Sequence, residues 1–487
     1  MNSDIMGKAI RINDNLVNLD ASIHFNAYYQ TIISLPGISR EEYLFLDEQE
    51  ITQLTILVGA DTYFSVFGPF ITKSSSKSDT FDVEFLSSST ITGKKEFHYE
   101  SNCRSFIFEI TDGVEIIGLC PYDLNSGYID ILLMNEVRIP VKRALIKTEL
   151  SIGEISFYCN PTTSFNKDTL SMGFIHGIYL SLTEDVKIPD LQLLFEKFSS
   201  LFEVLSGEIV TVNKLYIVEG EGESHQKFEY IGLCNFPKKE LNVFHDNSFD
   251  SSGFIRQTIF KISDFEILDS AINTWLSCYD NLQMANKAYQ RILLDEDVKI
   301  VTHNRFLAAM QEVEGYANAF ADESNEKAAF TLEKQTIIDS LSDEAQKNFI
   351  RKYCQFIGQS FRKSLKDFTY ESLKIIKGIS KSTFDKEYDD LIEAIKDDRD
   401  IYTHSSNRNK PKLNSLQLME IAYLYKQFYR INLLKKLGVS RDNIKLRFST
   451  NRTFSEYLKR IFNLKIDNMA NTTKFDKAMW HFSQRDQ

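Results

Sequence analysis

The 487-residue sequence has few cysteines and no long uncharged hydrophobic segment. Its six cysteines are scattered, with no Cys-x-x-Cys pair and no histidine cluster beside them, so we expect reduced thiols and no zinc site. No run of about 18 residues is free of charge, which argues against a membrane span. The first residues lack the apolar core of a secretion signal. We therefore expect a cytoplasmic protein with no metal or other cofactor.

Charge is unevenly distributed along the chain, whose formal net charge is −12. Residues 405–487 contain 17 Lys and Arg against 6 Asp and Glu, a net charge of +11, so residues 1–404 carry −23. A basic end attached to an acidic body is typical of a protein in which one domain meets a polyanion such as nucleic acid. A lysine-rich, solvated helix surface would give the same count, and the sequence leaves this alternative open.

Hydrophobic periodicity changes near residue 250. Before it, apolar segments of strand length alternate with turn-forming residues, which predicts strands at 53–59, 62–68, 80–86, 105–110, 115–119, 128–134, 155–159, 174–182, 209–218 and 228–233, with one helix at 189–205. After it, apolar residues recur at helical spacing, which predicts a helix that begins at a capping box, 263–266, and further helices at 304–320, 344–366, 384–396 and 416–437. We predict an α+β protein with a β-rich domain at 1–250 and an all-α helical bundle at 251–487.

One hexapeptide carries the residue types that metal-free RNA cleavage needs, Arg399-Asp400-Ile401-Tyr402-Thr403-His404. An arginine can hold a phosphate and offset the charge that develops on it. A histidine can move a proton near neutral pH. Residues five apart on an ideal helix point about 140° away from each other, so we expect this pair just after helix 384–396, at a helix junction or facing a second subunit. A helix-end salt bridge beside a surface histidine is the alternative.

Basic residues follow the hexapeptide closely and could hold the flanking phosphates of an RNA strand, namely Arg408, Lys410 and Lys412. Acidic residues precede it, including Asp397 and Asp398. Their spacing does not build an octahedral oxygen site, so we interpret them as a solvated helix edge.

The helical half resembles the HEPN family (higher-eukaryote and prokaryote nucleotide-binding), in which Arg, a polar residue, three residues and His lie between a penultimate and a long final helix. Two features are similar to its ApeA-like branch. One is the segment Gln311-Glu312-Val313-Glu314-Gly315-Tyr316 on helix 304–320, and the other is a β-rich N-terminal domain of about 250 residues that ends in a helix and a strand.

The resemblance implies a metal-independent endoribonuclease of bacterial anti-phage defence, a toxin linked to abortive infection and to cleavage of transfer RNA in the anticodon loop. Arg399 and His404 would be the catalytic pair. Asp400 would orient them, at a position that is often Asn in the family, while Glu314 and Tyr402 would support the site. The products would carry 2′,3′-cyclic phosphate and 5′-OH ends.

The same resemblance implies a homodimer that forms through the helical domain, with the two motifs facing each other across a shared cleft. It also implies that the protein binds RNA. The acidic β-rich domain would be a sensor or inhibitor that responds to a phage-derived protein. Many HEPN domains bind without cutting, so a non-catalytic nucleotide- or RNA-binding module is the second hypothesis.

Overall fold

The computed structural model describes residues 4–463 apart from 26–29, 78, 99–100, 102, 111–115, 118–143, 167–168, 211, 220–225, 233–258, 298–302, 321–323, 355–359 and 405–409. The chain divides into two compact units, which consist mainly of residues 1–246 and 274–487. The first is a β-sheet unit and the second is helical, so the predicted α+β class is confirmed. No helix in the described ranges is both long and apolar enough to cross a membrane.

Within the described residues of the first unit, fourteen strands join into one sheet: β1 Ile5–Ile12, β2 Asn15–Phe25, β3 Thr31–Ser39, β4 Gln53–Val58, β5 Thr62–Phe67, β6 Phe70–Lys77, β7 Thr80–Ser87, β8 Ser89–Gly93, β9 Cys103–Ile110, β10 Ala144–Leu150, β11 Gly153–Asn166, β12 Thr169–Val186, β13 Val212–Glu219 and β14 Gln226–Gly232. The strand order is β10-β11-β12-β9-β13-β14-β8-β5-β4-β1-β2-β3-β7-β6. Neighbouring strands are antiparallel, as in the long β11–β12 hairpin. Buried residues largely alternate along strands such as β3 and β9, whereas β4 and β5 each contain four consecutive buried residues.

Helices α1 Arg40–Asp47 and α2 Ile188–Ser206 accompany the sheet. Proline in the first turn favours the start of α2, and Gly207 ends it with φ +77°. The ring of Phe108 on β9 lies 4.1 Å from that of Phe195 and 6.1 Å from that of Phe198, measured between centroids. All three side chains are buried, so α2 covers the apolar face of the sheet.

Eight of the ten predicted strands correspond to observed ones, β4, β5, β7, β9 and β11–β14. The strand predicted at 115–119 is wrong where it is described, because Ile116 and Ile117 are helical. The strand predicted at 128–134 lies outside the described residues.

The remaining helices are α3 Leu268–Cys278, α4 Gln283–Asp297, α5 His303–Phe320, α6 Ser324–Ser340, α7 Glu344–Tyr353, α8 Phe361–Lys377, α9 Lys381–Glu387, α10 Asp389–His404, α11 Ser415–Lys436, α12 Arg441–Ser449 and α13 Arg452–Phe462. In the helical unit, α11 packs against α5, α8, α12 and α13. Buried side chains occur on every face of α11 from Leu418 to Leu434, so α11 is the central helix of the unit. Asn414 caps its start in a capping box with Gln417.

Three predictions of helix boundaries are wrong. The box at 263–266 does not start a helix, because Phe265 forms a β-bridge with Val439 and α3 begins only at Leu268. The helix predicted at 344–366 is two helices, α7 and α8, and the segment 384–396 is divided between α9 and α10 at Tyr388.

Candidate functional site

The candidate site lies on α10, where this helix packs against α5 and α8. Residues 399–404 form the last turn and a half of α10, so the prediction that they follow a helix is wrong. No Gly or Pro interrupts residues 389–404, and the Thr403 hydroxyl donates a 2.7 Å hydrogen bond to the Arg399 carbonyl within the helix. Side chains three apart are neighbours on a helix, so Arg399 and Tyr402 share one face.

Two carboxylates hold the guanidinium of Arg399. Its Nη2 lies 3.0 Å from Oε2 of Glu314 on α5, and its Nη1 lies 3.1 Å from Oδ1 of Asp400. Its Cζ lies 4.6 Å from the ring centroid of Phe361 at the start of α8, in a cation–π contact. The Arg399 side chain is 20% exposed. The guanidinium is therefore fixed in orientation, on a side chain that keeps a fifth of its surface exposed.

Tyr402 belongs to an aromatic group between α10 and the start of α5. The centroid of its ring lies 4.3 Å from that of His303, with 29° between the ring planes, and 6.4 Å from that of the buried Phe306 in an edge-on contact. Burial, and to a smaller degree the charge of Asp398, raises the pKa of the Tyr402 phenol. Tyr402 is therefore a neutral, packed ring at neutral pH, beside an exposed imidazole.

Asp398 anchors the chain that returns after the segment 405–409. Its carboxylate is fully buried and accepts hydrogen bonds from the backbone amides of Lys412, at 2.7 Å, and Leu413, at 2.9 Å. A buried carboxylate with two amide donors is satisfied. The interpretation of Asp398 as part of a solvated edge is therefore wrong, since its role is to fix residues 412–413 against α10.

Lysine side chains bridge the acidic edge of α10. Nζ of Lys412 lies 2.7 Å from Oδ2 of Asp397, and Nζ of Lys396 lies 3.0 Å from Oδ1 of the same carboxylate and 3.5 Å from Oδ2 of Asp400. These contacts raise the pKa values of Lys412 and Lys396 and lower that of Asp397. A phosphate bound by Lys412 would compete with Asp397 for its ammonium group.

The structure thus places most of the sequence-predicted site residues in one region. Arg399, Asp400 and Glu314 are in direct contact, while Tyr402 lies one turn further along α10 and Lys412 returns to its acidic edge. Lys410 is exposed. His404 is the last residue of α10, but its side chain and all of Arg408 lie outside the described residues.

Sequence reasoning missed three residues that shape this region, namely His303, Phe361 and Asp398. His303 lies 99 positions before Tyr402, so no local spacing could have indicated their contact. Phe361 fell inside the single helix predicted at 344–366. Among the described residues, no group of three or more His, Cys, Asp or Glu is arranged to hold a metal ion.

A protein-family model matches the part of the chain that contains the candidate site. The model of the Apea-like HEPN family matches residues 307–443, a range that runs from α5 to α12. It includes both sides of the contact between Glu314 and Arg399, as well as His404, and begins four residues after His303. Searches among curated proteins and among solved structures found no match.

Proposed function

Because residues 307–443 form an Apea-like HEPN domain, we propose that the chain is a metal-independent endoribonuclease of anti-phage defence. A domain of this family indicates a nuclease-like or nucleotide-binding role in defence. The proposal chooses cleavage, with RNA as the substrate and the anticodon loop of transfer RNA as the expected target.

The geometry around Arg399 is the observation that carries the proposal. A guanidinium has five N–H donors in a planar fork, and the contacts with Glu314 and Asp400 use Nη2 and Nη1. Since the side chain is held from three sides and remains partly exposed, it can receive a phosphate oxygen with little further loss of conformational freedom. An arginine fixed in this way can stabilise the negative charge that develops on a pentacoordinate phosphate.

We assign the proton transfer to His404. In the proposed reaction the ribose 2′-oxygen loses its proton to His404 and forms a bond to the adjacent phosphorus, while the bond from phosphorus to the 5′-oxygen breaks. The leaving 5′-oxygen takes up a proton supplied by solvent. Arg399 holds the phosphate throughout, and the fragments carry a 2′,3′-cyclic phosphate and a 5′-OH. Asp400 and Glu314 are positioning residues that act through Arg399.

The remaining features of the function follow from the domain organisation. The proposed enzyme is a homodimer through its helical domain, because Arg399 and His404 are five residues apart in one helix and diverge around its axis by about 140°. A second copy would bring another pair to the same cleft. The β-sheet unit would act as the sensor or inhibitor. A phage-derived protein in the cytoplasm would be the trigger that relieves the inhibition.

End-group analysis of the RNA fragments tests the proposal. Purified wild-type protein, Arg399→Ala and His404→Ala are incubated with transfer RNA in EDTA, beside Arg351→Ala, which removes a 51% exposed arginine on α7. We expect cyclic-phosphate and 5′-OH ends from the wild type and from Arg351→Ala. We expect at most about a hundredth of the wild-type cleavage from the other two variants, and no cleavage of an all-DNA strand.

Two results would contradict the proposal. Fragments with 5′-phosphate ends, or activity that EDTA removes and magnesium restores, would indicate a metal-dependent nuclease. RNA binding without cleavage by the wild type, under every salt and pH condition that permits binding, would favour the non-catalytic binding module.

A further inference from the structure

The pair formed by His303 and Tyr402 is a feature that the proposed cleavage chemistry does not use. His303 is the first residue of α5 and is exposed, yet its ring stacks on Tyr402 with 4.3 Å between centroids. Tyr402 is in turn packed edge-on against Phe306, which is fully buried. The stack therefore extends from the core of the helical unit to an imidazole at the surface.

This stack lies on the same face of α10 as the proposed phosphate-binding group. Arg399 and Tyr402 are three positions apart on α10, which places their Cβ atoms about 5–6 Å apart. Both side chains also contact α5, Arg399 through Glu314 and Tyr402 through His303 and Phe306. When Arg399 holds a phosphate, one of the two nucleotides joined by that phosphate can therefore reach the aromatic stack.

An exposed aromatic ring beside a phosphate-binding arginine suits an unpaired nucleobase. Bases of single-stranded RNA stack on Phe, Tyr, Trp or His side chains, and this contact is tolerant of sequence because every base has a π-face. Bases inside a duplex are already stacked on their neighbours and cannot make it. A platform of this kind would select loops and other unpaired segments.

We propose that His303, supported from below by Tyr402, is the platform on which an unpaired base next to the scissile phosphate stacks. This inference rests on the proposed ribonuclease function and makes His303 a residue that determines specificity for unpaired RNA. The imidazole acts here through its ring face, so another aromatic ring can replace it.

Binding measurements with protein variants and abasic RNA test this role. The wild type first maps the cleaved bond, and an oligonucleotide with a 2′-deoxy residue at that position then serves as the uncleavable ligand. The variants are His303→Ala, His303→Phe and the matched control Asn304→Ala, which changes the exposed neighbour on α5. A second set of oligonucleotides lacks one base at a time on either side of the mapped bond.

We expect His303→Ala to bind the single-stranded oligonucleotide about 5- to 150-fold more weakly, the range that corresponds to loss of one base–aromatic stack. His303→Phe and Asn304→Ala should bind like the wild type. Removing one particular base should weaken wild-type binding by a similar factor and should weaken binding to His303→Ala no further. A fully paired duplex of the same sequence should bind all four proteins equally.

Several results would overturn the inference. These are wild-type affinity of His303→Ala, equal weakening in His303→Phe and His303→Ala, or an abasic series in which no position weakens wild-type binding. The wild-type part of the abasic series depends on no variant, so the absence of any sensitive position overturns the inference even if a variant fails to fold. A wild type that neither binds nor cuts RNA would instead refute the ribonuclease proposal, whereas a wild type that cuts and a His303→Ala variant that binds and cuts equally well would refute only the platform.

Discussion

Helices α10 and α11 belong to the same helical unit, but their arginines Arg399 and Arg430 lie in different surroundings. On α11, Glu420, Lys426 and Arg430 are all at least 98% buried. On α10, Arg399 keeps a fifth of its side chain exposed while two carboxylates and a phenyl ring hold the rest. A charge enclosed on every side is available only to its protein neighbours. A charge that is held but partly open is available to a ligand as well.

Burial distinguishes Arg430 from Arg399, the arginine that we propose to bind phosphate. Arg430 donates from Nη1 to Oε1 of Gln427 at 3.0 Å and lies over the ring of Phe448 at 5.9 Å. Arg399 makes contacts of the same two kinds, an acceptor oxygen and an aromatic ring. The two arginines differ in the charge of these acceptors, carboxylates for Arg399 and an amide oxygen for Arg430, and in their access to solvent.

Replacing each arginine should therefore have opposite consequences. We expect Arg399→Ala to lower RNA cleavage by roughly 10²–10³-fold, as loss of a group that stabilises developing charge does, with little change in unfolding free energy. We expect Arg430→Ala to reduce the unfolding free energy by roughly 2–4 kcal/mol, because packing and a buried hydrogen bond are lost. Urea titrations and single-turnover cleavage assays measure the two effects.

Arg430→Met is the control for the structural arginine, since it retains much of the apolar stem and should recover part of the lost stability. If Arg399→Ala unfolded as readily as Arg430→Ala, or if it still cleaved RNA at the wild-type rate, the proposed difference between the roles of the two arginines would be wrong.

The next largest effect is expected at Asp398, the one buried carboxylate within the site region of α10 described above. Asp398→Asn replaces an acceptor of two backbone amides by a side chain with one acceptor oxygen and an NH₂ group that repels the second donor. The loss should be about 1.5–3 kcal/mol of unfolding free energy. Urea unfolding measures it, and an unchanged midpoint would mean that these two hydrogen bonds contribute nothing net to stability.

Glu314→Gln should affect the reaction more than the fold. The substitution preserves shape but removes the charge that fixes Nη2 of Arg399, and we expect kcat to fall about tenfold, or about 1.4 kcal/mol in activation free energy. KM should stay the same or decrease, because one carboxylate no longer competes with phosphate. Glu333→Gln, at an exposed acid on α6, is the control. A rise in KM at constant kcat would mean that Glu314 serves substrate binding and not the orientation of Arg399.

The smallest effect concerns Asp397, whose pKa is lowered first by Lys412 and then by Lys396. A carboxylate with a lowered pKa stabilises the fold above its unfolded pKa of about 3.9, and this contribution disappears as the pH falls through the lower folded value. Asp397→Asn should therefore melt slightly below the wild type at pH 7, and the difference should shrink toward pH 3. Because the bridge is at the surface, salt at about 1 M should also reduce the difference. A difference that stayed constant in pH and salt would exclude this ion pair as its source.

Short sequence patterns predicted those helix boundaries that depend on interactions between neighbouring residues. Asn414 is a helix-capping residue followed three positions later by Gln417, and the predicted start of α11 is confirmed. The break at Tyr388 between α9 and α10 has no Gly or Pro beside it, and the prediction there was wrong. The same holds for Ser263 and Glu266, where pairing between Phe265 and Val439 replaced a helix start that the local sequence favours.

In the candidate site, too, features set by neighbouring residues were easier to predict than contacts between residues distant in sequence. Arg399 and Asp400 are adjacent in sequence and were identified from their motif, but their position inside α10 was not predicted. The contact between Glu314 and Arg399 was expected only as support by position, because 85 residues separate the pair. The stacking of His303 on Tyr402 and the burial of Asp398 depend on how α5 and the returning chain pack against α10. Spacing along the sequence carries no information on either.

The attachment of residues 412–413 to Asp398 has a consequence for how this domain can diversify. The chain leaves α10 at His404 and is bound to it again at Lys412 and Leu413, whose backbone amides donate to the buried carboxylate. Lengthening a chain between two anchored positions costs little additional free energy. Related chains can therefore differ in the number of residues between these positions while the amide contacts of Asp398 are kept.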